Sequence, residues 1–317
     1  MNNFAITGVA GYIAPRHLKA IKGTNNNLVA ALDLSDSVGI IDSYFPEADF
    51  FTEFERFDRH IDKLRRENKG KEVNYISICS PNYLHDAHIR FSLRVGANAI
   101  CEKPIVLNPW NIDALLELEK EYSKKVYTIL QLRLHPVMIK LKNDLINKRS
   151  NKKHQVILTY ITSRGHWYLR SWKGNLEKSG GLATNIGIHF FDILIWLFGN
   201  VEKSEVHLNT ATSASGYLEL ENASVNWFLS IDSKNLPDEA VINEKRTYRL
   251  LSIDENKVEF SEGFTDLHTA VYRDILAGGG FGLIDAKPSI QLAYEIRKAK
   301  IQAANSMTHP LANKLID

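Results

Sequence analysis

Short apolar runs alternate with amphipathic stretches through residues 1–133. The runs are rich in Ile, Val, Leu and Ala, which is typical of strands buried on both faces of a parallel sheet. The stretches between them, such as Glu53–Asn68 and Trp110–Tyr122, repeat apolar residues at helical spacing. This alternation predicts an α/β fold with a doubly wound, Rossmann-type parallel sheet. Six strands are predicted, at Phe4–Thr7, Asn27–Asp33, Ala48–Thr52, Tyr75–Cys79, the apolar run ending at Cys101, and Val126–Leu130.

The pattern changes from Gln155 onward to longer β-branched segments separated by short polar turns. It predicts a second domain of α+β type with a mostly antiparallel, open sheet, and the domains divide at 1–133 and 134–317. A basic helix, Pro136–Lys153, connects the domains, and the late helices Leu267–Ala277 and Pro288–Ala304 are expected near the first domain. The predicted strands are Gln155–Ser163, Val201–Asn209, Ser215–Glu219, Ser224–Ile231, Arg246–Ile253 and Lys257–Phe260.

Composition and charge narrow the class of protein. Hydrophobic residues make up 44% of the 317 residues and charged residues 24%, which is ordinary for a globular protein. The net charge of +2 implies no long-range field for nucleic acid or a membrane surface, so neither is an expected partner. The two cysteines, Cys79 and Cys101, suggest no metal site and favour a reduced, cytoplasmic protein. The apolar stretch Phe190–Phe198 is too short to span a bilayer and is interpreted as a core helix.

A glycine turn follows the first strand and precedes a helix, as a dinucleotide-binding turn requires. Gly8 and Gly11 allow the backbone to approach a pyrophosphate, although the spacing is not the usual G-x-G-x-x-G. Asp33 ends the second strand 22 residues after Gly11, close to the interval expected for the carboxylate that binds the adenosine ribose. The alternatives are a plain loop and a helix-capping acid. The combination favours NAD over NADP, with contacts predicted at Gly8, Gly11, Tyr12, Ile13, Asp33 and Ser35.

Polar residues also follow the later strands of the predicted parallel sheet, where open α/β sheets bind ligands. Glu102 and Lys103 come directly after the fifth strand, and Pro104 biases Lys103 towards an extended backbone. A lysine held there can donate to an oxygen that gains negative charge, although a surface Glu-Lys pair is the alternative. Further cofactor contacts are predicted at Ser80, Pro81, Asn82, His85, Glu102, Lys103 and Gln131.

Two stretches of the second half carry candidate chemistry. Glycines in Ser179–Asp192 precede an apolar helix whose start offers His189, a natural proton acceptor for a hydroxyl being oxidised. The alternative is a satisfied core histidine. The segment Arg164–Gly174 combines cations with aromatic residues, so it can bind phosphates and stack on a base or sugar. The alternative is a loop that its aromatic residues hold in place. Its predicted cofactor contacts are Trp167 and Tyr168, and the predicted substrate contacts of the chain are Lys103, Arg133, Arg164, Tyr168, Trp172, Lys173, Asn185 and His189.

Together, Gly8–Ala14, Asp33, Glu102-Lys103-Pro104 and Gly180–Asp192 resemble the glucose–fructose oxidoreductase/inositol dehydrogenase (Gfo/Idh/MocA) family. The resemblance covers nearly the whole chain. It implies an N-terminal Rossmann domain, a bound nicotinamide cofactor, sugar-like substrates, and a C-terminal domain whose open sheet makes oligomer contacts, with a tetramer as the expected homo-oligomer.

Gly11–His17, Trp167–Gly174 and Thr184–His189 look more specifically like the UDP-N-acetylglucosaminuronate 3-dehydrogenase branch of bacterial surface-polysaccharide synthesis. This likeness implies that Lys103 and His189 form the catalytic pair, and that 2-oxoglutarate regenerates NAD in place. Asn185 departs from the aspartate of much of the wider family, and a neutral amide cannot share a proton with His189.

The sequence therefore predicts NAD-dependent oxidation of a sugar hydroxyl, with C3 of a UDP-linked N-acetylated uronic acid as the leading substrate. His189 would take the hydroxyl proton and Lys103 would stabilise the developing oxyanion. The alternatives are a dehydrogenase of a free sugar or polyol, which would not need the basic aromatic segment Arg164–Lys173, and a non-catalytic NAD-binding sensor.

Overall fold

A computed structural model of the chain describes residues 1–67, 70–147, 152–258, 260 and 266–316. These residues form two compact units, Met1–Leu134 with Thr265–Lys287, and His135–Phe264 with Pro288–Asp317. The strands are β1 (Asn3–Thr7), β2 (Asn27–Leu32), β3 (Asp49–Phe51), β4 (Tyr75–Ile78), β5 (Asn98–Cys101), β6 (Val126–Thr128), β7 (His154–Thr162), β8 (Val201–Asn209), β9 (Ser213–Leu220), β10 (Ala223–Ser230), β11 (Thr247–Ile253) and β12 (Asn256–Val258). The α-helices are α1 (Ala14–Gly23), α2 (Phe54–Glu67), α3 (His85–Arg94), α4 (Trp110–Tyr122), α5 (Pro136–Asn147), α6 (Trp167–Arg170), α7 (Leu176–Ser179), α8 (Ile188–Phe198), α9 (Asp238–Ile242), α10 (Leu267–Leu276), α11 (Leu283–Lys298) and α12 (Pro310–Ile316).

The first unit is built on a parallel sheet with the strand order β3-β2-β1-β4-β5-β6. Its central strands are buried on both faces, which explains why they read as continuous apolar runs and confirms the predicted Rossmann-type sheet. Helices α1 and α10 contribute to the hydrophobic core beside β1, with Leu18, Ile21 and Tyr272 fully buried. Helix α10, although far along the chain, therefore belongs to the first unit.

The carboxyl ends of three strands in this sheet are in register. Thr7 at the end of β1 pairs with Ile78 of β4, and Ile78 pairs with Cys101 of β5. The residues that follow these strands, including Gly8 and Glu102, consequently lie along one edge of the sheet. This is the edge at which open α/β sheets bind their ligands.

The second unit is built on a mixed sheet with the order β12-β11-β7-β10-β9-β8. Every neighbouring pair is antiparallel except β7 and β10, which run parallel, so the prediction of a mostly antiparallel sheet is confirmed. The buried Trp227 of β10 meets Phe191 of α8 edge to face, with ring centroids 5.3 Å apart. Helix α8 thus covers one face of this sheet and forms the core of the unit.

Several predicted boundaries differ from the structure. Helix α11 begins at Leu283 rather than Pro288, because Pro288 is tolerated inside the helix instead of starting it. The same helix ends at Lys298 rather than Ala304, since the backbone N–H of Gln302 donates to the edge of β8, at Val206 O. Helix α5 ends at Asn147 within the described residues, and the last predicted strand, Lys257–Phe260, is observed as Asn256–Val258, with residue 259 outside the described part.

One segment, Leu176–Phe198, has the length and composition of a membrane span. In the structure, however, 72% of its most apolar window is buried inside the protein. Gly180 also breaks the segment, because its φ of 79° is left-handed. These features are those of a core helix, as predicted for Phe190–Phe198.

Candidate active site

The glycine turn after β1 is shaped by the close approach of another loop. Gly8 has a φ of 79°, and a Cβ at this position would lie 2.5 Å from the backbone of Cys79 and Ser80. Only glycine fits this contact without displacing backbone. The turn leads into α1, whose N-terminal end carries the partial positive charge of the helix dipole, which suits a diphosphate.

Asp33 is fixed beside this turn by two backbone hydrogen bonds. Its Oδ2 accepts from the N–H of Ala10 at 2.9 Å, and its Oδ1 accepts from the N–H of Ser35 at 2.9 Å. Tyr12 and Leu34 are 89% and 85% exposed, so their side chains are accessible for an adenosine contact. The turn and the carboxylate therefore fit the adenosine and diphosphate parts of NAD.

The loop after β4 is tied to the loop after β5 by His85. His85 is buried, and its Nε2 lies 2.8 Å from Ser80 O while its Nδ1 lies 2.7 Å from Pro104 O. Burial lowers the pKa of His85. The ring nitrogens thus contact the protein itself, and direct binding of a cofactor by His85, or by the neighbouring Pro81 and Asn82, stays a prediction.

Glu102 is also held within the first unit. Its Oε1 accepts from the ring nitrogens of His17 and His268, and its Oε2 lies 3.3 Å from the backbone N of Lys103. Lys103, at the end of this turn, is half-buried, and the bond between Lys103 and Pro104 is cis. No sequence pattern predicts the histidine partners of Glu102, because they are 85 and 166 residues away along the chain.

Two polar side chains after β6, Gln131 and Arg133, were predicted to bind ligands, and they differ in how far other residues already contact them. Gln131 Oε1 is buried and has no hydrogen-bond partner among the described residues, so it is an available acceptor at the ligand-binding edge. Arg133 is buried, pairs with Asp285 at 3.3 Å and stacks its guanidinium on Phe281. Substrate binding by Arg133 stays a prediction, and its charge is already partly compensated.

In the second unit, a short aromatic segment carries a partly desolvated lysine. Lys173 Nζ lies 4.4 Å from the ring centroid of Trp172 and 5.5 Å from that of Trp167. Burial, together with the charge of Arg164, lowers the pKa of Lys173. Arg164 itself is exposed. The segment therefore offers two cations and exposed aromatic surface, which suits an anionic ligand that also stacks.

Tyr168 joins this segment to the start of the apolar helix. Its buried hydroxyl accepts a hydrogen bond of 2.6 Å from Asn185 Nδ2. Burial raises the pKa of Tyr168, so the hydroxyl keeps its proton and can donate it to another group. The amide of Asn185 thus orients Tyr168 by donating to its hydroxyl. An ionised carboxylate at this position could only accept a hydrogen bond from that hydroxyl.

His189 lies just beyond an irregular turn. Residues Ala183–Gly187 form a π-helical turn, and α8 then begins at Ile188, so His189 occupies its second position and is half-buried. Helical π-turns are frequent at functional sites because they re-aim side chains. The sequence indicated a helix start here through its glycines but did not predict the π geometry.

Family models match most of the first unit and about half of the second. Residues 2–129 match the Gfo/Idh/MocA oxidoreductase family, NAD-binding Rossmann fold, and residues 153–235 match the C-terminal α/β domain of the same family.

Among solved structures, the chain is 53% identical to the WlbA (WbpB) dehydrogenase of Thermus thermophilus, with a TM-score of 0.94 over 98% of this chain and 99% of that one. That enzyme has been crystallised with NAD and α-ketoglutarate, and with NAD and UDP-GlcNAcA.

Among curated proteins, the oxidoreductase YteT of Bacillus subtilis is 24% identical over a match that covers 63% of this chain and 47% of YteT. The inositol 2-dehydrogenase of Rhizobium meliloti is 27% identical over a match that covers 67% of this chain and 58% of that protein. The chain thus spans about half the length of these curated relatives.

Proposed function

The chain belongs to the Gfo/Idh/MocA oxidoreductase family, with its NAD-binding Rossmann fold and C-terminal α/β domain, and on that premise we propose that it is an NAD-dependent dehydrogenase of a nucleotide sugar. The proposed reaction oxidises the C3 hydroxyl of UDP-N-acetylglucosaminuronic acid to a ketone, in bacterial surface-polysaccharide synthesis. The observation that carries the proposal is 53% identity, over nearly the full length of both chains, to an enzyme crystallised with NAD and UDP-GlcNAcA.

The first unit supplies the cofactor site. Gly8, Gly11 and the start of α1 would hold the diphosphate, and Asp33 would hold the adenosine ribose. Gln131 Oε1, which has no hydrogen-bond partner among the described residues, would accept a hydrogen bond from the nicotinamide end. When bound, NAD supplies the acceptor for the hydride that leaves C3. Ser35, Ser80, Trp167 and Tyr168 are proposed as further contacts.

Proton transfer falls to His189 in this proposal. An imidazole accepts a proton near neutral pH, and a hydroxyl must lose its proton as its carbon is oxidised. Lys103 would donate to the same oxygen and stabilise its developing charge. The two residues belong to different units, so their action on one sugar is itself part of the proposal.

The second unit supplies groups suited to an anionic sugar nucleotide. Lys173, on its two tryptophan rings, and Arg164 offer positive charge, while Trp167 is 55% exposed. A uronate and a diphosphate need such cations, and a uracil or sugar ring can stack on indole. A neutral polyol would leave them unused, which favours the nucleotide sugar over the polyol alternative.

Regeneration of the cofactor by 2-oxoglutarate is the second part of the proposal. It is supported by the relative crystallised with NAD and α-ketoglutarate. A uronate and an oxo acid both present a carboxylate, so the same cations could orient either. Lys103 and His189 would then return a proton to the oxo group as it becomes 2-hydroxyglutarate, because proton transfer retraces its path in reverse.

The experiment is to incubate purified protein with UDP-N-acetylglucosaminuronic acid and 2-oxoglutarate, without added NAD. We expect keto-sugar and 2-hydroxyglutarate in equal amounts over many turnovers, by mass spectrometry. A protein that carries NAD but forms neither product would contradict recycling in place. That the protein is a cytoplasmic homo-oligomer stays a prediction from the sequence.

A further inference from the structure

A chain of buried hydrogen bonds ends at the residue before Lys103. Burial opposes ionisation of Glu102, but hydrogen bonds from His17 and His268 outweigh it and hold the pKa of Glu102 well below its usual range. Both histidine Nε2 atoms must therefore carry protons, since both lie within 3.0 Å of Glu102 Oε1. Burial lowers the pKa of His17, which leaves its Nδ1 as an acceptor.

The rest of the chain follows from that acceptor. His17 Nδ1 lies 2.7 Å from the hydroxyl of Tyr272, which therefore donates to it. The Tyr272 oxygen lies 2.6 Å from Ser77 Oγ, which donates in turn. The order of donation, Ser77 to Tyr272 to His17 to Glu102, satisfies each of these buried contacts without a second charge.

The network joins four separate elements of the first unit. Ser77 belongs to β4, His17 to α1, and both His268 and Tyr272 to α10, while Glu102 follows β5. All five side chains are buried. Glu102 cannot move without leaving a charge or a donor unpaired inside the protein, which is costly.

A metal site is the competing explanation of this cluster. One ligand atom each from His17, Glu102 and His268 lie within 4.8 Å of one another, a spacing that a cation could use. The hydrogen-bonded arrangement, however, already uses both Nε2 atoms as donors to a single carboxylate oxygen. A metal ion would have to displace both protons, whereas the ionised carboxylate and neutral His17 are complete without one.

We propose that His17, His268 and Tyr272 are positioning residues that hold Glu102 and thereby fix the backbone from which Lys103 projects. The Lys103 N–H is 3.3 Å from Glu102 Oε2, and on the other side Pro104 O is 2.7 Å from His85 Nδ1. Lys103 is thus flanked by two anchored residues. The role rests on the proposed function of Lys103, and it assigns Glu102 to support of the lysine rather than to cofactor binding.

The test compares two substitutions of His268. His268→Gln keeps an N–H donor near the position of Nε2, whereas His268→Met has a similar volume and no donor. We expect His268→Met to lower kcat about 10- to 100-fold, since a misplaced catalytic group costs rates of this order. The KM for the sugar and the Kd for NAD should stay within about 3-fold of wild type, and His268→Gln should retain most of kcat.

A second readout needs no activity. Hydrogen exchange at the Lys103 amide should accelerate at least about 10-fold in His268→Met but little in His268→Gln. His309→Met is the matched control, because His309 is a buried histidine of the second unit that bonds Thr159. It should lose stability yet keep kcat and the exchange rate at Lys103.

Three results would overturn the positioning role. They are unchanged kcat and exchange in His268→Met, an equal loss in both His268 variants, and weakened NAD binding with kcat intact. If wild type oxidises no UDP-sugar, the proposed function fails, while the exchange rates still decide whether the network anchors Lys103.

Discussion

Replacement of His309 by asparagine should make the second unit less sensitive to acid. His309 precedes α12, and its Nδ1 accepts the backbone N–H of Leu311 at 3.1 Å, so the ring proton resides on Nε2 and points to Thr159 Oγ1 at 2.9 Å. A second proton on Nδ1 would face the Leu311 donor. Burial lowers the pKa of His309 to about 4. The folded protein therefore prefers the neutral ring.

The magnitude follows from the two pKa values. The folded value of about 4 lies below the unfolded value of 6.5, so the stabilising contribution is complete above pH 6.5 and is lost as the pH falls towards 4. Between about pH 7.5 and about pH 5, the linkage relation gives a loss of about 2 kcal/mol in the free energy of unfolding. Asparagine does not titrate, and its side-chain oxygen can still cap Leu311 N–H.

Urea unfolding followed by tryptophan fluorescence measures this difference. Four of the five tryptophans, Trp167, Trp172, Trp196 and Trp227, belong to the second unit, so the signal reports mainly that unit. Wild type should lose about 2 kcal/mol more than His309→Asn over this pH interval. The exposed His166 provides the control His166→Asn, which should behave as wild type. Parallel losses in wild type and His309→Asn would refute the reasoning.

Three further predictions concern the ligand site. Lys103→Ala and His189→Ala should each retain NAD and lose about 10²- to 10⁴-fold in kcat, the usual cost of removing an acid–base group, and near-normal turnover in either would remove it from the catalytic pair. Equilibrium binding should show a lower Kd for NAD than for NADP, because Asp33 repels a 2′-phosphate, and Asp33→Ala should reduce the ratio of the two Kd values. Tighter NADP binding by wild type would mean that another group contacts the ribose. Gly8→Ala should abolish NAD retention and cost at least about 2 kcal/mol in the free energy of unfolding. The control Gly39→Ala, with no atom within 4 Å of its added Cβ, should change both quantities little. Equal effects of the two substitutions would mean that the backbone around Gly8 shifts to accept a side chain.

The first sheet could be predicted because its signal is local. The central strands bury both faces, as in Phe4–Thr7, so burial alone produces a continuous apolar run. The glycine turn and Asp33 could be placed because the fold fixes their spacing along the chain. The parallel pairing of β7 with β10 lacks such a signal, because it depends on which strands meet after the intervening helix is packed.

Features that depend on distant residues escaped sequence reasoning. The partners of Glu102 come from α1 and α10, and no periodicity links them. No local pattern predicted the contacts of Arg133 with Asp285 and Phe281, while substrate binding by Arg133 stays a prediction. The π-turn before His189 likewise had no local signal, and a side chain at its last residue, Gly187, would meet Leu229 and Phe191.

The most direct measurement is the turnover of UDP-N-acetylglucosaminuronic acid by the purified protein, with NAD and 2-oxoglutarate present and free myo-inositol as the competing substrate. Mass spectrometry should show a nucleotide sugar that has lost two hydrogens, and NMR should place the ketone at C3. Myo-inositol should remain unchanged. An NAD-loaded protein that oxidises the polyol and leaves the nucleotide sugar intact would contradict the proposed function.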